Sequence, residues 1–336
     1  MRIAVDVMGT DYGPEQIILG ATQAADEYNC TVLLVGNERE IENILHKNKK
    51  NISDKIQIRQ ASQVIEMCEH PGSAVRKKKD ASIVVATKLL KDGECDAVVS
   101  AGSTGAAVAA ALFGLGRISG IERPTIATPI PNISGTTVVL DSGANVDSKP
   151  QHLNQSALMG SIYAEQVLGI NNPRVGLLNI GEEETKGNEQ ATSTYPLLMN
   201  NKFINFIGNV EGRDISKGTV DVVVCDGFVG NIVLKFAEGL SKSIMALIKD
   251  AIKNSGILGK IAALFVLPAF KGLKKKLDPS EYGGAPLLGV NGEFIICHGS
   301  SRAKAIKNAV RVAMEFKRNG VINCIKEKLQ AEEVRY

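Results

Sequence analysis

Short apolar runs alternate with longer amphipathic stretches along nearly the whole chain. The run "RIAVDVM" reads as a strand from Arg2, "TVLLVG" as a strand ending at Gly36, and "KIQIRQA" as a third. Between them, "EQIILGATQAADEY" and "EREIENILHKN" carry apolar residues on one helical face. The alternation continues. "SIVVATKLLKDG" predicts a helix stopping at Gly93, and "DAVVSAGSTGAAVAAALFGLG" predicts strand, glycine loop and small-residue helix. "TIATPIP" and "TTVVLDSGAN" predict two strands, and "HLNQSALMGSIYAEQVLG" a helix ended by Gly169. "RVGLLNIG", "INFIGNVEG" and "VDVVVCDG" predict strands, "NEQATSTYPLLMN" a helix, and "NIVLKFAEGLSKSIMALIKDAIKN" a long helix from Asn231. Nearly continuous Val, Ile and Leu in strands separated by helices is the pattern of an α/β fold with a mostly parallel sheet buried on both faces. Neither a repeat nor a low-complexity linker interrupts it, so the chain is expected to form one domain over residues 1–336.

Glycine-rich polar stretches recur at the predicted strand ends: "SAGSTG", "DSGAN", "NIGEEETKGN", "IGNVEG", "CDGFVGN" and "CHGSS". Open α/β sheets bind ligands beyond the carboxyl ends of their strands. Glycine lets backbone N–H groups approach a ligand, and helix starts favour anions. A shared cleft built from these loops is therefore expected. Several members also have purely structural readings. Ser103 and Thr104 suit helix capping, Asp141 an Asx turn, Asn231 a cap on the long helix, and His298 a hydrogen-bonded loop. Asn145 and Asp147 could orient a ligand, and the amide of Asn231 could donate to an oxyanion. In "NIGEEETKGNE", Glu182 to Glu184 read as a solvated shoulder, while Lys186 places one cation beside the Gly187 turn and Asn188.

Composition narrows the chemistry. A net charge of +3, 4% aromatic residues and no Trp do not suggest nucleic-acid binding. The six cysteines are scattered without a C-x-x-C pair and read as thiols of a reducing compartment. The amino end reads directly as a strand and not as a signal peptide, so a cytoplasmic protein is expected. No metal-ligand spacing, G-x-S-x-G elbow or dinucleotide fingerprint occurs in the sequence.

The segment "SGILGKIAALFVLPAFKGLKKKLD", residues 255–278, has a different character. Leu258, Ile261, Leu264, Phe265 and Phe270 supply apolar bulk, and Lys260, Lys271, Lys274, Lys275 and Lys276 flank them. It reads as an amphipathic helical hairpin, packed on the body or a second copy, or dipping into an anionic membrane surface. The basic stretch "AVRKKKDAS" and the helix "SSRAKAIKNAVRVAMEFKRNG" read as solvated faces or as docking patches for an acidic protein.

Taken in order, "AVDVMGTDYGPE", "SAGSTGA", "DSGANVD", "LNIGEEETKGNE", "GNVEGRDI", "DVVVCDGFVGNIVLK", "YGGAPLLGVNG" and "CHGSS" resemble the bacterial phosphate acyltransferases of phospholipid synthesis. Thr10 and Ser103 stand where that family usually has glycine and asparagine. The resemblance implies a three-layer α/β/α fold like that of isocitrate and isopropylmalate dehydrogenases, and a homodimer. It also implies transfer of a long-chain acyl group from acyl carrier protein to inorganic phosphate. The acyl phosphate would pass to a membrane acyltransferase, with the protein attached peripherally to the membrane through the hairpin. No cofactor is implied. The family's proposed phosphate-site residues carry over to Lys186 and Asn231. The phosphate- and thioester-binding loops then comprise Gly102, Ser103, Thr104, Gly105, Asn145, Asp147, Gly187, Asn188, Gly227, Gly230, His298 and Ser300.

That chemistry suits the residues. Phosphate is an anion at neutral pH, and a thiol of pKa roughly 8.5 leaves without much acid help. The site then needs an anion pocket and oxyanion donors, not a nucleophilic side chain. Two other readings compete: a phosphotransacetylase-like enzyme acting on short acyl groups of coenzyme A, and a non-catalytic membrane scaffold. A dehydrogenase is the guess from fold alone, without cofactor motifs to support it.

Overall fold

The computed structural model describes residues 1–256 and 275–333, with 265, 266, 270 and 272 between them. Its strands form two sheets where the sequence pattern suggests one. The first has seven strands in the order β3-β2-β1-β4-β12-β11-β5. These are β1 (Arg2–Asp6), β2 (Thr31–Gly36), β3 (Ile56–Gln60), β4 (Ala97–Ser100), β5 (Thr125–Ile126), β11 (Ala285–Leu288) and β12 (Phe294–Ile296). The second has five strands in the order β6-β7-β10-β8-β9. These are β6 (Thr128–Pro131), β7 (Thr136–Leu140), β8 (Arg174–Leu178), β9 (Asn205–Val210) and β10 (Val222–Val224).

Side chains of the central strands of the first sheet alternate between two cores. Ile3, Val5, Val32 and Leu34 face a core shared with α1 (Glu15–Tyr28) and α11 (Ala303–Arg318). Ala4, Leu33, Val35 and Val98 face the opposite core, under α3 (Pro71–Lys77), α4 (Ser82–Lys91) and α5 (Thr104–Gly114). The second sheet packs one face on α6 (Pro150–Gln166), α7 (Glu189–Asn200) and α12 (Val321–Glu333). Its other face carries a smaller core with α8 (Gly212–Lys217). Sheets covered on both faces make this a three-layer α/β/α fold, as expected. Two further helices are α2 (Glu38–Lys47) and α10 (Pro279–Tyr282).

The join between the sheets positions everything that follows. The stretch expected to be one strand, "TIATPIP", breaks at Ala127, where the chain leaves the first sheet for the second. β5 runs antiparallel to β11, which is antiparallel to β12, so β5 points the same way as the parallel strands of its sheet. β6 is antiparallel to β7, and Thr128, its first residue, pairs with Val139 near the carboxyl end of β7. The carboxyl ends of the two parallel sets therefore meet at Ala127. Loops from both sheets therefore lie on the same side of the join.

Other departures are local. "IGNVEG" is not a loop: residues 207–210 lie inside β9, and Gly208 at φ 102° sits beside a register shift between Val175 and Leu177. The helices α3, α8, α10 and α12 are too short or too weakly periodic to stand out in the sequence. The long helix, α9 (Gly227–Asn254), starts four residues before Asn231. Of the proposed membrane contacts, Leu258, Ile261 and Leu264 lie outside the described residues. Phe265 is 84% exposed and Phe270 half-buried. No helix among the described residues is long and apolar enough to cross a membrane.

Candidate active site

On the second sheet, the turn after β7 is organised by Asp141. Its buried carboxylate accepts hydrogen bonds from the backbone N–H groups of Ile126, Gly143, Ala144 and Asn145 and from the Asn145 amide. Burial raises its pKa, and these donors pull it back down. The expected Asx turn is present, and it also fastens this loop to β5 in the other sheet. Asn145 spends its amide hydrogens on Asp141 and the Pro124 carbonyl, at 2.8 and 2.7 Å. Asp147 is exposed, with a left-handed backbone at φ 58°.

Helix α9 begins against this turn. Asp226, not Asn231, is its N-cap, accepting from the Phe228 N–H at 2.8 Å and from the Ser148 N–H at 2.8 Å. A Cβ at Gly230 would collide with the Asp141 carbonyl oxygen, and one at Gly227 with the Asn145 carbonyl oxygen. Only glycine lets the helix start approach so closely. Asn231 follows in the second turn, exposed, with its side chain beside Gly143. Here the amide projects toward the turn after β7 instead of capping the helix.

The loop after β8 joins the same end. Gln190, in the first turn of α7, donates to the Ser148 carbonyl. Asn188 caps α7 by accepting from the Ala191 N–H at 2.9 Å. Gly187 takes φ 101°, and a Cβ there would meet the Asn179 side chain at 2.5 Å. Asn179 donates to the Lys186 carbonyl at 3.0 Å, and the Lys186 N–H donates to Glu183 at 3.1 Å, so the backbone carrying the lysine is held at both ends. The Lys186 side chain is exposed, and no carboxylate among the described residues pairs with it. Glu182, Glu183 and Glu184 are exposed, as expected of a solvated shoulder, and Glu184 accepts from the Tyr195 hydroxyl at 3.2 Å.

The first sheet contributes the loops after β1, β4 and β12. Gly102 is buried, and its N–H donates to the Ser100 hydroxyl at 3.3 Å. Ser103 caps α5 by accepting from the Ala106 N–H at 3.4 Å, and Thr104 is exposed behind it. Gly105 packs under Pro71, which begins α3. His298 is exposed and bridges two elements: Nε2 lies 2.6 Å from the Lys235 Nζ, and Nδ1 lies 2.7 Å from the Ser300 Oγ. This contact ties α9, which grows from the second sheet, to the carboxyl end of β12 in the first.

The helices α5, α7 and α9 each follow the carboxyl end of a parallel strand, α7 after the ten-residue loop 179–188. Their N-terminal partial positive charges favour anions on that side of the sheets. The nearby thiols of Cys225 and Cys297 are buried, an environment that disfavours the thiolate. Burial pushes Cys297 up to about 12 and raises the pKa of Cys225 as well. Among the described residues no cluster of His, Cys, Asp and Glu is arranged to hold a metal ion.

Asp6, Lys235, Asp226 and Gln190 join the site without having been expected from the sequence. Asp6 had a legible signal, an acid closing an apolar strand. Lys235 had one too, four residues after Asn231 and so on the same helical face.

The family model described as "Fatty acid synthesis protein" matches residues 1–324. The chain is 55% identical over 335 residues to the phosphate acyltransferase of Pelotomaculum thermopropionicum, covering 100% of this chain and 97% of that one. It is 56% identical over 329 residues to the phosphate acyltransferase of Heliobacterium modesticaldum, covering 98% of each. Among solved structures, a phosphotransacetylase from Streptococcus pyogenes superposes with a TM-score of 0.64 at 18% identity, covering 95% of this chain and 94% of that one. A putative 4-hydroxythreonine-4-phosphate dehydrogenase from Salmonella typhimurium gives 0.53 at 12% identity, covering 94% and 98%. These distant neighbours share the fold. The relatives in sequence go further, and on their evidence the chain belongs to the fatty acid synthesis protein family, among its phosphate acyltransferases.

Proposed function

We propose that the protein transfers a long-chain fatty acyl group from acyl carrier protein to inorganic phosphate, giving an acyl phosphate for glycerol 3-phosphate acylation. The observation that carries this reading is Lys186: a cation without a carboxylate partner among the described residues, on a loop pinned by Asn179, one residue before the Gly187 turn. A phosphate oxygen attacks the thioester carbonyl, the carbon–sulfur bond breaks, and the proton of the phosphate ends on the departing thiolate. The nucleophile brings its own charge, so the protein's task is to hold anion and carbonyl together and to meet the developing oxyanion with donors. Lys186 neutralises the phosphate, Asn231 donates to phosphate or to the tetrahedral oxygen, and the helix starts and glycine loops supply N–H groups.

The protein works in this reading as a cytoplasmic homodimer attached peripherally to the membrane through residues 255–278, where a lipophilic product can pass to its membrane acyltransferase. Incubation of palmitoyl-carrier protein with phosphate, followed by mass spectrometry, tests the reaction directly. Acyl phosphate is expected from the wild type. Lys186→Ala is expected to lower its formation by roughly a hundredfold or more, the scale of losing a preorganised electrostatic contact. Because Lys186 is exposed, the variant should keep the wild-type melting temperature. Near-normal turnover by Lys186→Ala would remove the lysine from the mechanism.

A further inference from the structure

We infer that Lys235 is a second anion-binding residue of this site, held in place by His298, and that it contacts the phosphate substrate. The inference rests on the functional reading above and adds a residue to it.

Asn231 and Lys235 are four residues apart on α9, so they share one face of the helix, one turn from each other. Asn231 lies at the turn after β7, and Lys235 reaches across to the loop after β12. The ammonium is thus placed where the carboxyl ends of the two sheets meet, not on the outer surface of a single layer. Its partner there is unusual. Many lysines of the chain are neutralised by carboxylates, including Lys47, Lys50, Lys78, Lys304 and Lys307. Lys235 instead has its Nζ 2.6 Å from the His298 Nε2, and among the described residues no carboxylate pairs with it. On the other side of the ring, Nδ1 accepts from the Ser300 backbone N–H at 3.1 Å and lies 2.7 Å from the Ser300 Oγ. The ring is therefore held from both sides, and it fixes the ammonium without cancelling its charge. Lys235 keeps two further N–H bonds for an anion. Such a fixed, unneutralised cation matches a doubly charged phosphate group better than a lone Lys186 does. His298 acts here as a positioning residue.

Steady-state kinetics of the full-length protein, with phosphate and acyl-carrier protein varied separately, test the assignment. Lys235→Ala is expected to raise KM for phosphate by about tenfold or more, the scale of one lost charge-assisted hydrogen bond, and to change KM for the acyl donor much less. Lys235→Arg should restore most of the phosphate affinity. His298→Ala should reproduce the phosphate effect with Lys235 intact, and His298→Gln, which keeps an acceptor, should recover it in part. An unchanged phosphate KM in Lys235→Ala, or a rise confined to the acyl donor, would overturn the inference. Equilibrium dialysis with radiolabelled phosphate separates this from the reaction itself. If the wild type makes no acyl phosphate but binds phosphate, and Lys235→Ala does not, the reaction assignment fails and the binding residue stands. If both bind phosphate equally, Lys235 is not a binding residue.

Discussion

Asp6 is the last residue of β1, and its carboxyl is enclosed at the carboxyl end of the first sheet. The Ser100 hydroxyl donates to it at 2.7 Å, and a cavity of about 10 Å³, also lined by Ser82, Gly102 and Ser103, lies beside it. Burial raises its pKa from 3.8 to about 6, against the pull of hydrogen bonds from Ser82, Ser100 and the Met8 backbone. The folded protein therefore holds this proton at pH values where the unfolded chain has already lost it. Stability from this group is full below about pH 4 and is lost as pH rises through about 6, an amount of about 3 kcal/mol at ~1.4 kcal/mol per pH unit. Asp6→Asn removes the titration and keeps an acceptor for Ser100. Urea unfolding at about pH 4.5 and about pH 8 should show the variant losing about 2 kcal/mol less than the wild type over that interval. Parallel profiles for the two proteins would contradict it. An acid at the end of an apolar strand is visible in the sequence, but Ser82 and Ser100 as its partners are not, because they are 76 and 94 residues away.

Helix α9 shows how an element can be recognised without its role. Its 28 residues span about 42 Å at 1.5 Å per residue, yet only Gly227 and Gly230, in its first turn, are fully buried. Val229, Ile232, Phe236, Leu240, Ile244 and Leu247 recur at intervals of three and four and are all exposed, Phe236 at 68% and Leu247 at 69%. A stripe of this kind suits a second copy of the chain, which is the occupant that the proposed homodimer supplies. Phe236→Glu combined with Leu240→Glu should convert the dimer to a monomer in sedimentation equilibrium. A double variant that sediments as the wild type does would place the interface elsewhere. The periodicity from Asn231 to Asn254 announces this helix. Its true start is hidden, because "CDGFVGN" has the glycine content of a loop and becomes helix only by close packing on Asp141.

Across the whole molecule, the proposed function calls on two surfaces: the loops at the Ala127 join and the lysine-flanked apolar segment 255–278. The second combines apolar bulk with flanking lysines. Leu258→Glu with Phe265→Glu should abolish co-sedimentation with anionic liposomes, and unchanged binding would exclude the segment as the anchor. The sequence by itself determined the α/β class, most strands and helices, and the polar glycine loops that end the strands. Those features follow from local periodicity and from the backbone freedom of glycine, both written in neighbouring residues. It also marked Lys186, a single cation among acids and turns. The tertiary structure alone decided that there are two sheets, that they abut carboxyl end to carboxyl end, and that Asn145 is spent on Asp141 while Lys235 reaches His298. Each of these depends on pairing between residues far apart in the chain, and such pairing leaves no local period in a single sequence.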